Sequence, residues 1–248
     1  MNDWIIPDWL APANVKALFT TRNGGVSRGE NDVYASLNLG AHVNDDVTHV
    51  MRNRALLRRH LPNEPKWLKQ VHGTSPIWID HAEAATPEGD AVLSRESGTV
   101  CAVMVADCLP VFLCDTAGTT VGIVHAGWRG LAGGIIEQSI AAMQVDQRKL
   151  MAWLGPAIGP DHFEVGEDVY DTFVRHDAQA AQAFVPKNSQ HEKKWLADIF
   201  LLAQQRLVSA GVTEIYGGGV CTYSDPARFF SYRRDGETGR MAALIWLA

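Results

Sequence analysis

The sequence predicts a mixed α/β domain of α+β character, one compact unit over residues 1–248, and three observations carry that expectation. Short apolar runs rich in β-favouring residues alternate with segments of helical periodicity along the whole chain. No internal repeat, low-complexity tract or long Pro/Gly/Ser linker marks a boundary between units. At 248 residues, 46% hydrophobic and 20% charged, the chain has an ordinary globular composition and enough apolar side chains for a large core.

Taken in order, Val15–Thr21 reads as an early strand that enters the turn Arg22-Asn23-Gly24-Gly25. A helix is predicted over Thr48–Arg59, with Asp46 as its cap and Pro62 beyond its end. Three β-favouring runs follow at Val100–Ala106, Pro110–Cys114 and Thr120–Val124, and their near-continuous apolarity predicts burial on both faces. The third ends at His125 and passes through Ala126-Gly127-Trp128-Arg129-Gly130 into a helix over Leu131–Met143. Met151–Leu154 is a further strand, closed by the loop Gly155-Pro156-Ala157-Ile158-Gly159-Pro160. Helices are predicted over Val165–Arg175 and Leu196–Ala210, the second stopped by Gly211, and strands return at Thr213–Tyr216 and Met241–Leu247.

Charge narrows the partners. The formal net charge is −6, and no basic run exceeds the pairs Arg58-Arg59, Lys193-Lys194 and Arg233-Arg234. That argues against nucleic acid, which needs a basic footprint. It leaves room for phosphate-bearing small molecules, because a few arginines in one cleft outweigh the average charge locally. The amino-terminal stretch carries Pro7 and Pro12 and has no apolar run of signal or membrane length, so a cytoplasmic protein is expected. Four cysteines, Cys101, Cys108, Cys114 and Cys221, are too few for a disulfide scaffold and should stay reduced there.

The chemistry concentrates in three short segments, each placing a reactive side chain where a strand breaks into a loop: Lys69-Gln70-Val71-His72-Gly73, Ala106-Asp107-Cys108-Leu109-Pro110 and His125-Ala126-Gly127-Trp128-Arg129-Gly130. A lone His or Cys in such a place is more often a packed core residue. Together, two imidazoles and one thiolate are donors that zinc prefers, and three protein ligands leave one position open, as catalytic sites do. Cys108 follows His72 by 36 positions and His125 follows Cys108 by 17, so the spacing matches no local zinc motif and permits the site without proving it.

The strings Gln70-Val71-His72-Gly73, Ala106-Asp107-Cys108-Leu109-Pro110, His125-Ala126-Gly127-Trp128-Arg129-Gly130, Leu154-Gly155-Pro156-Ala157-Ile158-Gly159-Pro160 and Phe230-Ser231-Tyr232-Arg233-Arg234-Asp235 closely resemble the laccase-domain family. That family is also called the multifunctional purine nucleoside phosphorylase family. The resemblance runs in the same order from about Thr20 to the carboxyl terminus. It implies a layered α/β/β/α domain with zinc on His72, Cys108 and His125. It also implies phosphorolysis of adenosine, inosine, guanosine and methylthioadenosine, with deamination of adenosine. An older family label, polyphenol oxidase, implies copper instead. The nine histidines include no His-x-His pair, which speaks against coupled copper centres.

Roles for individual residues follow from this chemistry. A water on zinc has its pKa lowered to about 7 and could attack a purine ring carbon. The usual deaminase signature is absent, so another acid/base group is needed, and Asp107 beside Cys108 is the candidate. Phosphorolysis needs a held anion, for which Arg129 and Arg22, both beside glycine turns, and Arg52 are candidates. Asn38 could bond a ribose hydroxyl, or simply tie its own turn. Tyr232 and Trp128 could stack on a purine or pack at a rim. Two other readings stay open: a metal-free Cys108–His hydrolase, which fits the link of some family members to removing a wrong amino acid from a peptidoglycan precursor, and a non-catalytic protein clipped by zinc. Oligomeric state is not readable.

Overall fold

The computed structural model describes residues 3–80, 86–187 and 193–248. Its strands are β1 (Val15–Phe19), β2 (Pro76–Trp78), β3 (Ala91–Ser94), β4 (Cys101–Val105), β5 (Leu109–Asp115), β6 (Val121–Ala126), β7 (Leu150–Leu154), β8 (Glu164–Gly166), β9 (Phe184–Lys187), β10 (Lys194–Ala197), β11 (Glu214–Gly217) and β12 (Met241–Leu247). The α-helices are α1 (Val47–Arg58), α2 (Trp128–Gly133), α3 (Ile135–Met143), α4 (Glu167–His176), α5 (Ile199–Ser209) and the single turn α6 (Tyr232–Asp235). A six-stranded sheet runs in the order β11-β7-β5-β6-β3-β2, with parallel pairs at its two edges and antiparallel pairs between. A three-stranded antiparallel sheet has the order β1-β12-β4, and a small one the order β8-β10-β9.

Side-chain alternation along the strands stacks these parts. In the three-stranded sheet, Ala17, Phe19, Val103, Val105, Ala243 and Ile245 point one way, into a core shared with Val92, Phe112, Cys114, Ile123 and Trp153 of the large sheet. Leu18, Ala102, Met104, Ala242 and Leu244 point the other way, onto Leu57 of α1 and onto Leu37 and Leu39. On its far side the large sheet presents Leu93, Val111, Leu113, Val124 and Ala152 to Leu131, Ile135, Ile140, Phe173, Leu202 and Leu207 from α2 to α5. The layers are therefore helix, sheet, sheet, helices, as the family resemblance implies, and shared sheets make one compact body. Burying a leucine, isoleucine or phenylalanine contributes about 1.5–3 kcal/mol each.

Several element boundaries depart from the sequence reading, for local reasons. The single helix expected over Leu131–Met143 is two, because Gly134 takes a left-handed φ of 95° and ends the first. Val165–Arg175 begins as strand β8 and turns helical only at Glu167, after Gly166. Leu196–Ala210 likewise begins in β10, and α5 starts where the Asp198 side chain accepts from the amides of Phe200 and Leu201. Strands β2, β3 and β9 had no counterpart in the reading, whereas β12 has the bounds expected. Among the described residues no helix is long and apolar enough to cross a membrane.

Candidate metal centre

The start of β5 and the end of β6, the two central strands, meet at one end of the large sheet, where Leu109 pairs with Ala126 and Pro110 with His125. That pairing brings Cys108, one residue before β5, beside His125 within β6. The loop of His72 folds over them. The ligand atoms of His72, Cys108 and His125 lie within 4.8 Å of one another, with Cys108 Sγ 3.9 Å from His72 Nε2. Tetrahedral zinc with bonds of about 2.0–2.3 Å keeps its ligand atoms about 3.5 Å apart, so a contraction of about 1 Å would close the group on an ion. Among the described residues no fourth His, Cys, Asp or Glu joins it. His72 is exposed, Cys108 half-buried and His125 buried, so the cluster opens toward solvent on the His72 side.

Room for an ion depends on Gly127, which follows β6. A Cβ there would stand 3.0 Å from both Cys108 Sγ and His72 Cδ2. The backbone of Gly127, at φ −62°, is open to any residue, so crowding rather than conformation requires glycine.

A residue that sequence reasoning missed holds the cluster together. Asp90, fully buried just before β3, accepts from His125 Nδ1 at 2.9 Å and from the His72 amide at 2.9 Å with Oδ1. Its Oδ2 accepts from the amides of Val71 at 3.2 Å and Gly73 at 2.7 Å. Its carbonyl accepts from the His125 amide at 2.7 Å. Three successive amides around one carboxylate form an anion nest, which keeps His72 at its left-handed φ of 59°. With Nδ1 donating to a carboxylate, Nε2 of His125 is the nitrogen free to ligate.

The electrostatics suit a thiolate. Desolvation alone would raise the pKa of Cys108, but the charge of His125 and hydrogen bonds from His125 and His72 bring it down to about 6. Desolvation would lower that of His125, yet Cys108 and the bond to Asp90 push it up to about 9. Burial would raise the Asp90 carboxyl, and its bonds to His125 and the nest hold it below the ordinary value instead.

The other predicted residues lie outside this group. Asp107 has a left-handed φ of 90°, and its carboxylate faces the 222–233 segment: Oδ1 accepts from Thr222 Oγ1 at 2.6 Å, and Oδ2 from Ser231 Oγ at 3.0 Å and the Arg233 amide at 2.7 Å. Arg22 spends its guanidinium on the carbonyls of Ala35, Pro226 and Asp32 and on the ring of Phe230. Asn38 is fully buried and ties its own turn, accepting from the amides of Gly40 and Arg240 and donating to Asp45. Arg52 is exposed on α1, in the outermost layer. Arg129, exposed in the first turn of α2 and two residues past Gly127, stacks on Trp128 and bonds no other group among the described residues.

A second arginine near the cluster carried the same signal, a neighbouring glycine, and was passed over. Arg240 donates Nη1 to the carbonyls of Thr238 and Gly239 at 2.8 and 3.0 Å. Burial lowers its pKa while the charges of Cys108 and Asp107 raise it, so its charge acts on the cluster. Cys101 and Cys114 are buried in strands as small apolar residues, as expected, and Cys221 accepts from the Gly159 amide at 3.1 Å.

Comparison with known proteins agrees with this architecture over its whole length. A purine nucleoside phosphorylase of Pseudomonas aeruginosa is 50% identical over 247 residues, covering 100% of this chain and 99% of that protein. The purine nucleoside phosphorylase YfiH of Escherichia coli is 49% identical over 249 residues, covering 100% of both. The crystal structure of a Neisseria meningitidis protein superposes with a TM-score of 0.92 at 50% identity, covering 99% of each chain. The family model described as multi-copper polyphenol oxidoreductase laccase matches residues 16–248, and the chain is an enzyme that belongs to this laccase-like family.

Proposed function

We propose that the protein is a zinc-dependent purine nucleoside phosphorylase acting on adenosine, inosine, guanosine and methylthioadenosine, and that it also deaminates adenosine. The observation that carries this reading is the open three-donor cluster of His72, Cys108 and His125, set where the two central strands of the large sheet end and braced by Asp90. The names of the relatives support the phosphorylase activity. Zinc is preferred to copper because coupled copper chemistry needs several imidazoles close together, and among the described residues the cluster offers two.

His72, Cys108 and His125 would hold the ion, which when bound supplies Lewis acidity toward a water or a substrate oxygen. The rest of the work falls to the chain. Phosphorolysis asks for an anion held in line with the anomeric carbon, and positive groups do most of that holding. Arg129 and Arg240 take this role, since Arg240 spends only Nη1 on backbone carbonyls whereas Arg22 spends all three of its nitrogens, Asn38 is committed to its own turn, and Arg52 lies on the outer helix. Asp107 acts as the anchor of the 222–233 segment rather than as a proton carrier, because three donors already occupy its oxygens. Tyr232, 61% exposed, offers a face for the purine. Thiolate ligation and four unpaired cysteines suit a reducing cytoplasm.

The test is zinc analysis of purified protein together with base release from inosine and adenosine, with and without phosphate. Stoichiometric zinc and phosphate-dependent base release are expected. Metal-replete protein that neither releases base nor deaminates across a purine nucleoside panel overturns the reading.

One observation favours a second reading. The line from Cys108 through His125 to Asp90 is that of a thiolate nucleophile, its imidazole and an orienting carboxylate, the arrangement a metal-free amide hydrolase would use on a peptidoglycan precursor. Alkylation separates the two. A ligating thiolate is protected until a chelator removes the ion, whereas a free nucleophile reacts at once.

A further inference from the structure

We propose that Asp90 is a positioning residue that sets two of the three metal ligands at once, fixing the ring of His125 and the loop of His72 through the two oxygens of one carboxylate. The inference rests on reading the cluster as a metal site.

Its four donors divide unevenly in what they control. Oδ1 receives His125 Nδ1 and the His72 amide, both at 2.9 Å, while Oδ2 receives the amides of Val71 and Gly73 at 3.2 and 2.7 Å. The bond to Nδ1 chooses the tautomer and rotation of His125, leaving Nε2 with its lone pair toward the cluster. The three amides choose the backbone of residues 71–73, and His72 in its left-handed conformation depends on that nest. A carboxylate offers acceptors on both oxygens, so it satisfies both sets of donors.

An amide in its place cannot. In Asp90→Asn, an NH2 group turned toward the Oδ1 side confronts the Nδ1–H of His125. Relief requires that proton to move to Nε2, which removes the lone pair from the ligating nitrogen. Turned toward the Oδ2 side, the NH2 group confronts the N–H groups of Val71 and Gly73 and leaves two donors without an acceptor, which opens the His72 loop. Either orientation disables one ligand.

Asp115, at the other end of the β5–β6 hairpin, provides the control. It is equally a buried carboxylate accepting from three donors, the Thr119 amide and hydroxyl at 2.7 Å each and the Thr120 amide at 2.9 Å, and it touches no ligand. The experiment measures Zn2+ affinity by competition with a chelator and the Co2+ absorption spectrum for wild type, D90N and D115N. Expected results are a loss of about 10–100-fold in affinity and a shifted Co2+ ligand-field band for D90N, the scale seen when an outer partner of a ligand is removed. D115N should unfold at a lower temperature yet bind both ions as wild type does. Wild-type affinity and spectrum in D90N overturn the proposal, as does an equal loss of affinity in D115N. Should D90N not yield folded protein, Asp90→Glu carries the same test, since it keeps the charge but displaces both oxygens by a methylene. Weakened Zn2+ binding supports the proposal and unchanged binding overturns it. If wild type takes up neither ion, the metal reading falls and this inference with it.

Discussion

Cys108 directly precedes β5 and Cys114 lies six positions on, near the strand's far end, and their thiols sit at opposite extremes. Cys114 lies in the sealed core between the two sheets, where desolvation and the charge of Asp115 push its pKa up to about 12. Cys108 lies where the same hairpin opens, and the imidazoles around it bring the value down to about 6 despite desolvation. Each end also has a buried carboxylate gathering amides, Asp115 at the turn and Asp90 at the opening. The turn is complete in itself, whereas at the opening Sγ and the ring nitrogens of two histidines converge within 4.8 Å of one another. Protein stability and protein chemistry are thus separated along one strand, and the separation can be tested.

The largest expected contrast is in thiol reactivity. In metal-stripped protein, alkylation followed against pH should rise for Cys108 with a midpoint near 6 and reach a plateau by neutrality, because its depressed pKa leaves the thiolate dominant above that value. Cys114, with its pKa at about 12, has a thiolate fraction of about 10⁻⁵ at pH 7 and should stay unmodified in the folded protein. Equal labelling of the two, read by peptide mass, would erase the distinction between the ends.

Next comes Cys108→Ala, for which base release should drop to background while the thermal midpoint moves little. A large loss of stability with turnover intact would mean that the ion is a structural clip. Gly127→Ala should have a smaller effect. Its methyl group enters the space between Cys108 and His72, and overpacking of this kind costs about 1–3 kcal/mol, expected here as weaker Zn2+ binding with little change in helix content. A variant with wild-type affinity would show that the cluster has more slack than its geometry indicates.

The smallest effect on chemistry is expected for Asp107→Asn. Leaving Thr222, Ser231 and the Arg233 amide poorly matched should cost about 1–3 kcal/mol of stability, measured by denaturant, with an unchanged pH profile for deamination. A profile that loses one limb would restore Asp107 as the proton carrier.

How much of this was legible in the sequence depended on whether a signal was local. β12 has the bounds its apolar run predicted, because seven consecutive apolar residues, all but Trp246 buried, leave a long mark. Tyr170 to Phe173 and Phe200 to Leu207 were placed in helices correctly, but the starts were not, since β8 and β10 are short strands running straight into helices and their apolar residues merge with the helical pattern. Gly166 and Asp198 were the available stop signs. The three donors of the cluster were legible as types, and Cys108 and His125 lie at strand ends as expected, whereas His72 lies in a loop that adjoins no strand. Asp90 was not, because its importance lies in partners 17 to 35 positions away and the strand it introduces has only four residues. The arginines were the weakest point, since a neighbouring glycine does not distinguish Arg22, tied to backbone carbonyls, from Arg240, whose charge reaches Cys108.

The three-stranded sheet is covered on both sides, with odd-numbered residues of β12 such as Ala243 and Ile245 in one core and even-numbered ones such as Ala242 and Leu244 in another. Such a strand has no permissive parity. Saturation mutagenesis along Met241–Leu247 should therefore show polar replacements rejected at consecutive positions rather than at every second one, and a shift of the chain by one residue would exchange two incompatible cores instead of merely turning an oily face to water.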